Sequence, residues 1–407
     1  MPYAAVHLKE RRILRQTIQV LTAWLAVTLA TDQSDYMTDG LGKRKRTTDD
    51  IDDIIIAAAY LDRCDKRLRT NHIFEYEPRS LSLGNPVTHM EWGPHKFREE
   101  FRFDRSRFLE VLAALRLPAL MRTECGHAYT GEEGLLIYLH RLHRPITQGQ
   151  LSGTFGKSQA EISFILKDVS EFIYHEHKHV LTDLQRWEFL FSHFAERIHH
   201  RTNRLKTVIG FVDGKLWATC RPVRNQRDAY NGHKKHHGIK NQSVIFPNGM
   251  IGHYWGPMNG NRHDSHMLRC SGLVAALRAC CARLGIANPS YCVYGDPAYP
   301  LSDVVSAPWK GLLNAERGAF NADMSSSRVT VEWGFGVIVK NWPWVDFRQQ
   351  MKILESNVQA HVSNAVLFTN MLSICNDNSC VAYFKCNIDS NGNPVKYNLT
   401  LDEYLHR

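Results

Sequence analysis

Three acidic residues, Asp213, Asp296 and Glu332, stand in settings that suit phosphoryl transfer. Asp213 closes the apolar run Val208-Ile209-Gly210-Phe211-Val212, and short apolar runs bounded by turn residues read as buried strands. A carboxylate at the exit of such a strand is costly to desolvate unless a cation meets it. Asp296 closes a second short strand, Tyr291-Cys292-Val293-Tyr294-Gly295, which Pro297-Ala298-Tyr299-Pro300 stops. Glu332 lies in Ser325-Ser326-Ser327-Arg328-Val329-Thr330-Val331-Glu332-Trp333. That stretch predicts a helix capped by one of the serines, with Val329 and Trp333 on its buried face and Glu332 beside Arg328. Two strand aspartates and a helical glutamate form the donor set of a two-metal site. There, divalent ions roughly 3.5–4 Å apart activate the attacking oxygen and steady the leaving one. Mg²⁺ or Mn²⁺ suits such oxygen ligands, which water and substrate phosphate complete. Singly, each acid reads as a surface or capping residue; the expectation rests on the three together.

The surrounding charge fits a polyanion. Lys and Arg outnumber Asp and Glu 50 to 41 over 407 residues, a net charge of +9, and the excess is local. From Arg201 to Arg262 there are eleven Lys and Arg but only two acids, Asp213 and Asp228. Cations that neutralise backbone phosphates release counterions, so this segment reads as a basic cleft for a phosphate backbone around Asp213 rather than a merely solvated basic face. Lys234, Lys235, Arg262 and Arg328 are the candidate nucleic-acid contacts there, the two lysines as phosphate ligands rather than bases.

The elements that must position these residues follow from patterning. Residues 91–200 read as helical throughout, with Phe101 to Leu117 and Leu135 to Leu142 apolar at helical spacing. From Thr147 to Leu166 the chain reads as helix, tight glycine turn, helix, with Ser158 as N-cap and Ile162, Ile165 and Leu166 facing inward. The pair is either an ordinary αα-hairpin or a helix-turn-helix whose Gln159 and Ser163 enter the major groove. Farther on, Gln242 to Pro247 and Met250 to Trp255 flank Asn248-Gly249 as a hairpin. A helix from about Ser265 to Leu284 and the Asp296 strand follow, giving β-β-β-α-β. Trp342-Pro343-Trp344 breaks the Glu332 helix, and Met351 to Ile374 predicts a long amphipathic helix.

The blocks Phe211-Val212-Asp213-Gly214, Tyr230-Asn231-Gly232-His233-Lys234-Lys235-His236, Gly260-Asn261-Arg262-His263-Asp264-Ser265, Gly295-Asp296-Pro297-Ala298-Tyr299-Pro300 and Arg328-Val329-Thr330-Val331-Glu332-Trp333-Gly334-Phe335-Gly336 come in a telling order. The chain resembles PIF/Harbinger-type DDE transposases and the domesticated nucleases derived from them over roughly residues 90–375. The resemblance implies an α/β fold: an RNase H-like catalytic core, a mixed sheet flanked by helices, behind an all-α helix-turn-helix region. It maps the family's acids onto Asp213, Asp296 and Glu332. It also implies double-stranded DNA as substrate, a homo-oligomer when active, a nuclear location, and a separate Myb-like or other DNA-binding partner protein. Where the family often continues its first Asp with a small polar run, this chain has Gly214-Lys215-Leu216-Trp217. Asp264 is a further acid in a recurrent family pair, His263-Asp264; it reads first as the N-cap of the following helix and second as a metal ligand.

Four regions follow: 1–90, an N-terminal helix and polar basic linker; 91–200, the helical region; 201–375, the nuclease core; and 376–407, a tail with a small terminal helix at Leu401 to Leu405. In the first, the apolar part of His7 to Ala30 is too short to span a bilayer, and Lys43-Arg44-Lys45-Arg46 is a candidate nuclear localisation signal. His175-Glu176-His177-Lys178-His179 reads as a solvated helix end rather than a metal site. The ten cysteines form no CxxC pair and read as reduced thiols. The expected activity is metal-dependent hydrolysis, and strand joining, of DNA phosphodiesters. Its rival is a catalytically inactive DNA-binding or scaffold protein, against which retention of all three acids argues. A third reading, RNA or lipid binding, lacks any aromatic stacking motif.

Overall fold

The computed structural model describes residues 91–286, 290–353 and 355–407; the expected helix His7–Ala30 and the basic run Lys43–Arg46 lie outside them. From Pro94 to Thr202 the chain is mostly helical. Helix α1 (Pro94–Phe101) opens on proline, whose missing N–H is no loss at a helix start, and buries Phe97 and Phe101. In α2 (Arg105–Leu115) the buried Phe108, Val111 and Leu115 recur on one face. The expectation of helix throughout fails at 118–130, where the antiparallel strands β1 (Leu120–Arg122) and β2 (Ala128–Thr130) intervene. Thr130 then caps α3 (Gly131–His143), its hydroxyl accepting from the Glu133 N–H at 3.1 Å.

The glycine-turn helix pair forms as expected. Thr147 and Gln150 make a capping box for α4 (Gln148–Phe155), which ends at Gly156 with φ +65°. Ser158 and Glu161 make another for α5 (Gln159–His177), and Ile162, Ile165 and Leu166 are buried. The end of α5 is only partly solvated. His175 and His179 are exposed, but His177 is buried, with Nε2 3.2 Å from the Leu115 carbonyl. Helix α6 (Phe191–Thr202) leads into the sheet.

The sheet comprises β3 (Val208–Ala218), then, past the single turn α7 (Gln226–Ala229), β4 (Tyr230–Asn231), β5 (His236–Ile245) and β6 (Ile251–Asn259). After α8 (Asp264–Cys270) and α9 (Leu273–Arg283) come β7 (Cys292–Tyr294) and β8 (Val305–Ser306). The order is β4-β5-β3-β7-β8, with β6 also on β5; β5 runs antiparallel to β3 and β6, while β3, β7 and β8 are parallel. The hairpin at Asn248-Gly249 is as expected, Gly249 supplying φ +76°. The single helix expected from Ser265 to Leu284 is two, because the chain turns at Gly272 with φ +70°.

Helix α10 (Ala315–Asn341) carries Glu332. Its cap is Asn314, whose side chain accepts from the Arg317 N–H at 2.8 Å; the serines expected to cap it lie mid-helix. Its buried face is also not the expected one. Val329 and Trp333 are each 36% exposed, while Met324, Ser327, Thr330, Val331, Gly334, Phe335 and Ile338 face the interior. Small residues line that face because the helix lies close on the sheet: a Cβ at Gly334 would run into the Ile245 side chain of β5.

Helix α11 (Val358–Cys375) starts seven residues later than expected, capped by Asn357, and is buried on nearly all sides rather than amphipathic. Its polar residues tie distant elements together. Asn241 of β5 donates to Gln359 at 3.1 Å; Asn364 donates to the Tyr138 hydroxyl of α3 and the Ser170 carbonyl of α5. Asn370 accepts from the Ile251 N–H and donates to its carbonyl at the start of β6. Two short helices, α12 (Ser379–Phe384) and α13 (Leu401–His406), complete the chain.

Candidate active site

Asp213 does not stand at a strand exit: β3 continues five residues beyond it, pairing Asp213 with Ser243 of β5. On the other side of β3 the parallel register sets Phe211 opposite Tyr294, so Asp213 and Asp296 each lie two residues beyond a paired position. Asp296 has by then left β7, and its Oδ1 accepts the Ala298 N–H at 2.9 Å. Adjacent parallel strands, the outer of them short, therefore bring the two carboxylates to the same level of the sheet.

Arg328 joins the third acid to the first. Its Nη1 lies 3.5 Å from Asp213 Oδ2, and its Nη2 lies 3.8 Å from Glu332 Oε1, one turn along α10. Glu332 itself is 58% exposed, so the guanidinium links a half-buried acid to one facing solvent.

Asp264 is the fourth. It is the first residue of α8, not its cap; that position belongs to His263, which makes no capping bond. The capping reading therefore fails, and the carboxylate points elsewhere. It rests over Gly214, where any Cβ would strike Asp264 Oδ1, and it lies 2.7 Å from the Lys240 ammonium of β5. The Lys240 contact is ionic rather than a directed hydrogen bond, for Oδ1 is buried and accepts none. Lys240 also donates to the Arg262 carbonyl at 3.3 Å.

Burial pushes the Asp213 carboxyl up to about 6; the Gly214 N–H and Arg328 pull it back, while Asp296 and Asp264 push it further. Among the described residues no three His, Cys, Asp or Glu stand close enough to ligate one ion. The donor chemistry nevertheless fits a hard divalent cation: the acids offer carboxylate oxygens, and one of them, Asp213, is half-buried with its pKa raised.

The basic residues divide into two groups. Lys234 and Lys235 lie in the exposed turn between β4 and β5. Asn231 accepts from the Lys234 N–H at 2.8 Å and donates to the Gly260 carbonyl at 2.6 Å, tying this turn to the segment that carries Arg262. Lys215 belongs with them. Two residues past Asp213, on the same face of β3, its ammonium sits 5.1 Å from the Trp217 ring centroid and 5.8 Å from that of Phe335. Burial lowers its pKa; Asp346 opposes that and Lys234 adds to it. The alternation of a strand was the signal that could have singled Lys215 out. Gln159 and Ser163 are exposed on the first turn of α5, and no contact joins them to the acids.

Residues 212–370 match the family model described as DDE superfamily endonuclease. The matched span is less than half of the chain, but it contains all four carboxylates and Lys215, Lys234, Lys240 and Arg328. The match supports a DDE transposase-like nuclease. No curated protein and no solved structure matches the chain. No helix among the described residues is long and apolar enough to cross a membrane.

Proposed function

We propose that the protein is a divalent-metal-dependent DNA endonuclease of the DDE type, with an RNase H-like core, that hydrolyses phosphodiester bonds and joins strands. The observation that carries this reading is the juxtaposition of Asp213, on β3, with Asp296, just past the end of its parallel neighbour β7, with Glu332 linked to Asp213 through Arg328. The strand order, in which the first strand lies between its hairpin partner and the parallel strand after the helices, agrees with such a core, as does the family match.

Asp213, Asp296 and Glu332 would hold the cations, with Asp264 at their edge. Bound Mg²⁺ or Mn²⁺ lowers the pKa of the attacking water or 3′-hydroxyl and offsets charge on the leaving oxygen, so no protein nucleophile is required. Arg328 keeps Asp213 and Glu332 facing each other before substrate arrives. Lys215 and Lys234 offer positive charge to the flanking phosphates, and Lys240 holds Asp264 over Gly214. The buried apolar side of β3 holds the strand, and with it the Asp213 carboxylate, in place. Further parts of the same reading are DNA contacts by Gln159 and Ser163, nuclear action, a homo-oligomer and a partner protein supplying sequence choice.

The test is Mg²⁺- or Mn²⁺-dependent nicking of supercoiled DNA by the wild type beside Asp213→Asn and Glu332→Gln. Each variant is expected to lose at least about 100-fold in cleavage while retaining DNA affinity. Binding without cleavage by the wild type, even with candidate partner proteins added, would favour the inactive scaffold instead.

A further inference from the structure

Tyr299 lies in the turn that follows Asp296 and has no role in the account above. It ends the turn that begins at Asp296, donating its N–H to the Asp296 carbonyl at 3.1 Å. Its ring lies over Gly295, where a Cβ would come within 2.8 Å of it, so the missing side chain is what lets the ring come so close to the backbone beside Asp296. Tyr299 is 1% exposed.

The phenol is the anomaly. Its oxygen is buried and has no hydrogen-bond partner among the described residues, although native proteins rarely leave such a group unpaired. Burial holds its proton on well beyond the ordinary range, and the charges that add to this are Asp264, Asp213 and Asp296, with Arg328 opposing. Three carboxylates, on β3, on α8 and just past β7, thus act electrostatically on one hydroxyl that makes no bond to any of them. A hydroxyl in that position is a donor waiting for an acceptor.

We propose that the acceptor arrives with a divalent cation: Tyr299 donates its hydroxyl hydrogen to a water in the cation's shell or to a carboxylate oxygen turned to meet the cation, and so acts as a positioning residue for the metal. The inference rests on the reading of the acids as a metal site. It takes that reading further, because a neutral buried phenol in the turn after Asp296 adds direction without adding charge. Donors of this kind orient ligands and commonly govern affinity by 10–100-fold.

The experiment is calorimetric titration of the full chain with Mn²⁺ alone, without DNA, for the wild type, Tyr299→Phe and Asp213→Asn, together with thermal unfolding of each with and without Mn²⁺. Tyr299→Phe is expected to bind Mn²⁺ about 10–100-fold more weakly and to gain less thermal stability from it, while its metal-free midpoint is unchanged or raised, since no bond is lost. A lowered metal-free midpoint would show a hydroxyl already bonded within the protein and overturn the proposal. So would Mn²⁺ affinity equal to the wild type's while Asp213→Asn binds weakly, which leaves the metal site standing. Equal binding by the wild type and Asp213→Asn would instead remove the metal site, and the role of Tyr299 with it.

Discussion

Gly214 has no room for a side chain because the Asp264 carboxylate occupies that space. Gly214→Ala should therefore push Asp264 and its Lys240 partner aside and cost about 1–3 kcal/mol, measured by urea unfolding; Gly153→Ala, with nothing within 4 Å of its Cβ, should cost none. A second prediction concerns the exposed turn. Lys234→Ala with Lys235→Ala should weaken binding to any DNA sequence alike and reduce the salt dependence of log K by about two phosphate contacts, read from affinities at several ionic strengths. At this scale the sequence was partly legible. Apolar runs located Asp213 and Asp296, since their neighbours have to be buried. Asp264 was misread because the first residue of a helix and its cap differ by one position, and only the approach of Gly214 decides where the carboxylate points. The strand exit was misplaced for a related reason: Lys215 and Leu216 are half-buried, and a polar residue there breaks the apolar run without ending the strand.

At the scale of elements, α10 and β5 meet through Gly334 and Ile245. Gly334→Ala should lever the helix off the sheet, destabilise the fold by about 1–3 kcal/mol and reduce cleavage by moving Glu332. Gly336→Ala, two residues on and facing open space, should stabilise by up to about 1 kcal/mol through helix propensity. Opposite shifts in the urea midpoints of the two variants would check the packing. The sequence showed that a helix carries Glu332 but misjudged its extent and its buried side. Val329 and Trp333 are the large apolar residues of that stretch, yet close approach to a sheet selects small ones, so Ser327, Thr330 and Gly334 took the interior. The β5–β6 hairpin, by contrast, was legible because Asn-Gly fixes the turn locally. β4 and the β1–β2 pair, of two and three residues, are too short for any periodicity to show.

Over the whole molecule, the helical segment and the sheet share one core, and α11 runs through it. Its His361 is buried beside Tyr138, Trp344 and Arg141; the Tyr138 phenol accepts from Asn364 and lies 3.1 Å from His361 Nδ1. Burial and then Arg141 push the His361 pKa down to about 3; burial pushes that of His253, on β6, down to about 4 against an opposing bond to the Ser271 backbone. Below pH 6.5 the unfolded chain binds protons that the folded histidines refuse. Stability should therefore fall as pH drops from 7.5 to 5, by about 2 kcal/mol for each histidine. His361→Gln should remove its share of that loss, which urea midpoints at the two pH values would show.

The polar residues of α11 also set a timetable. Asn241, Ser170 and Ile251 bond to residues 118, 194 and 119 positions away on or beyond that helix's first turn. On the ribosome, Asp213, Asp264, Asp296 and Glu332 are all synthesised before Val358–Cys375 emerges, and contacts of such sequence separation form late. A half-made chain therefore carries the acids before the helix that ties β5, β6 and α5 together has emerged, and the core beneath the site closes only after translation has passed Cys375.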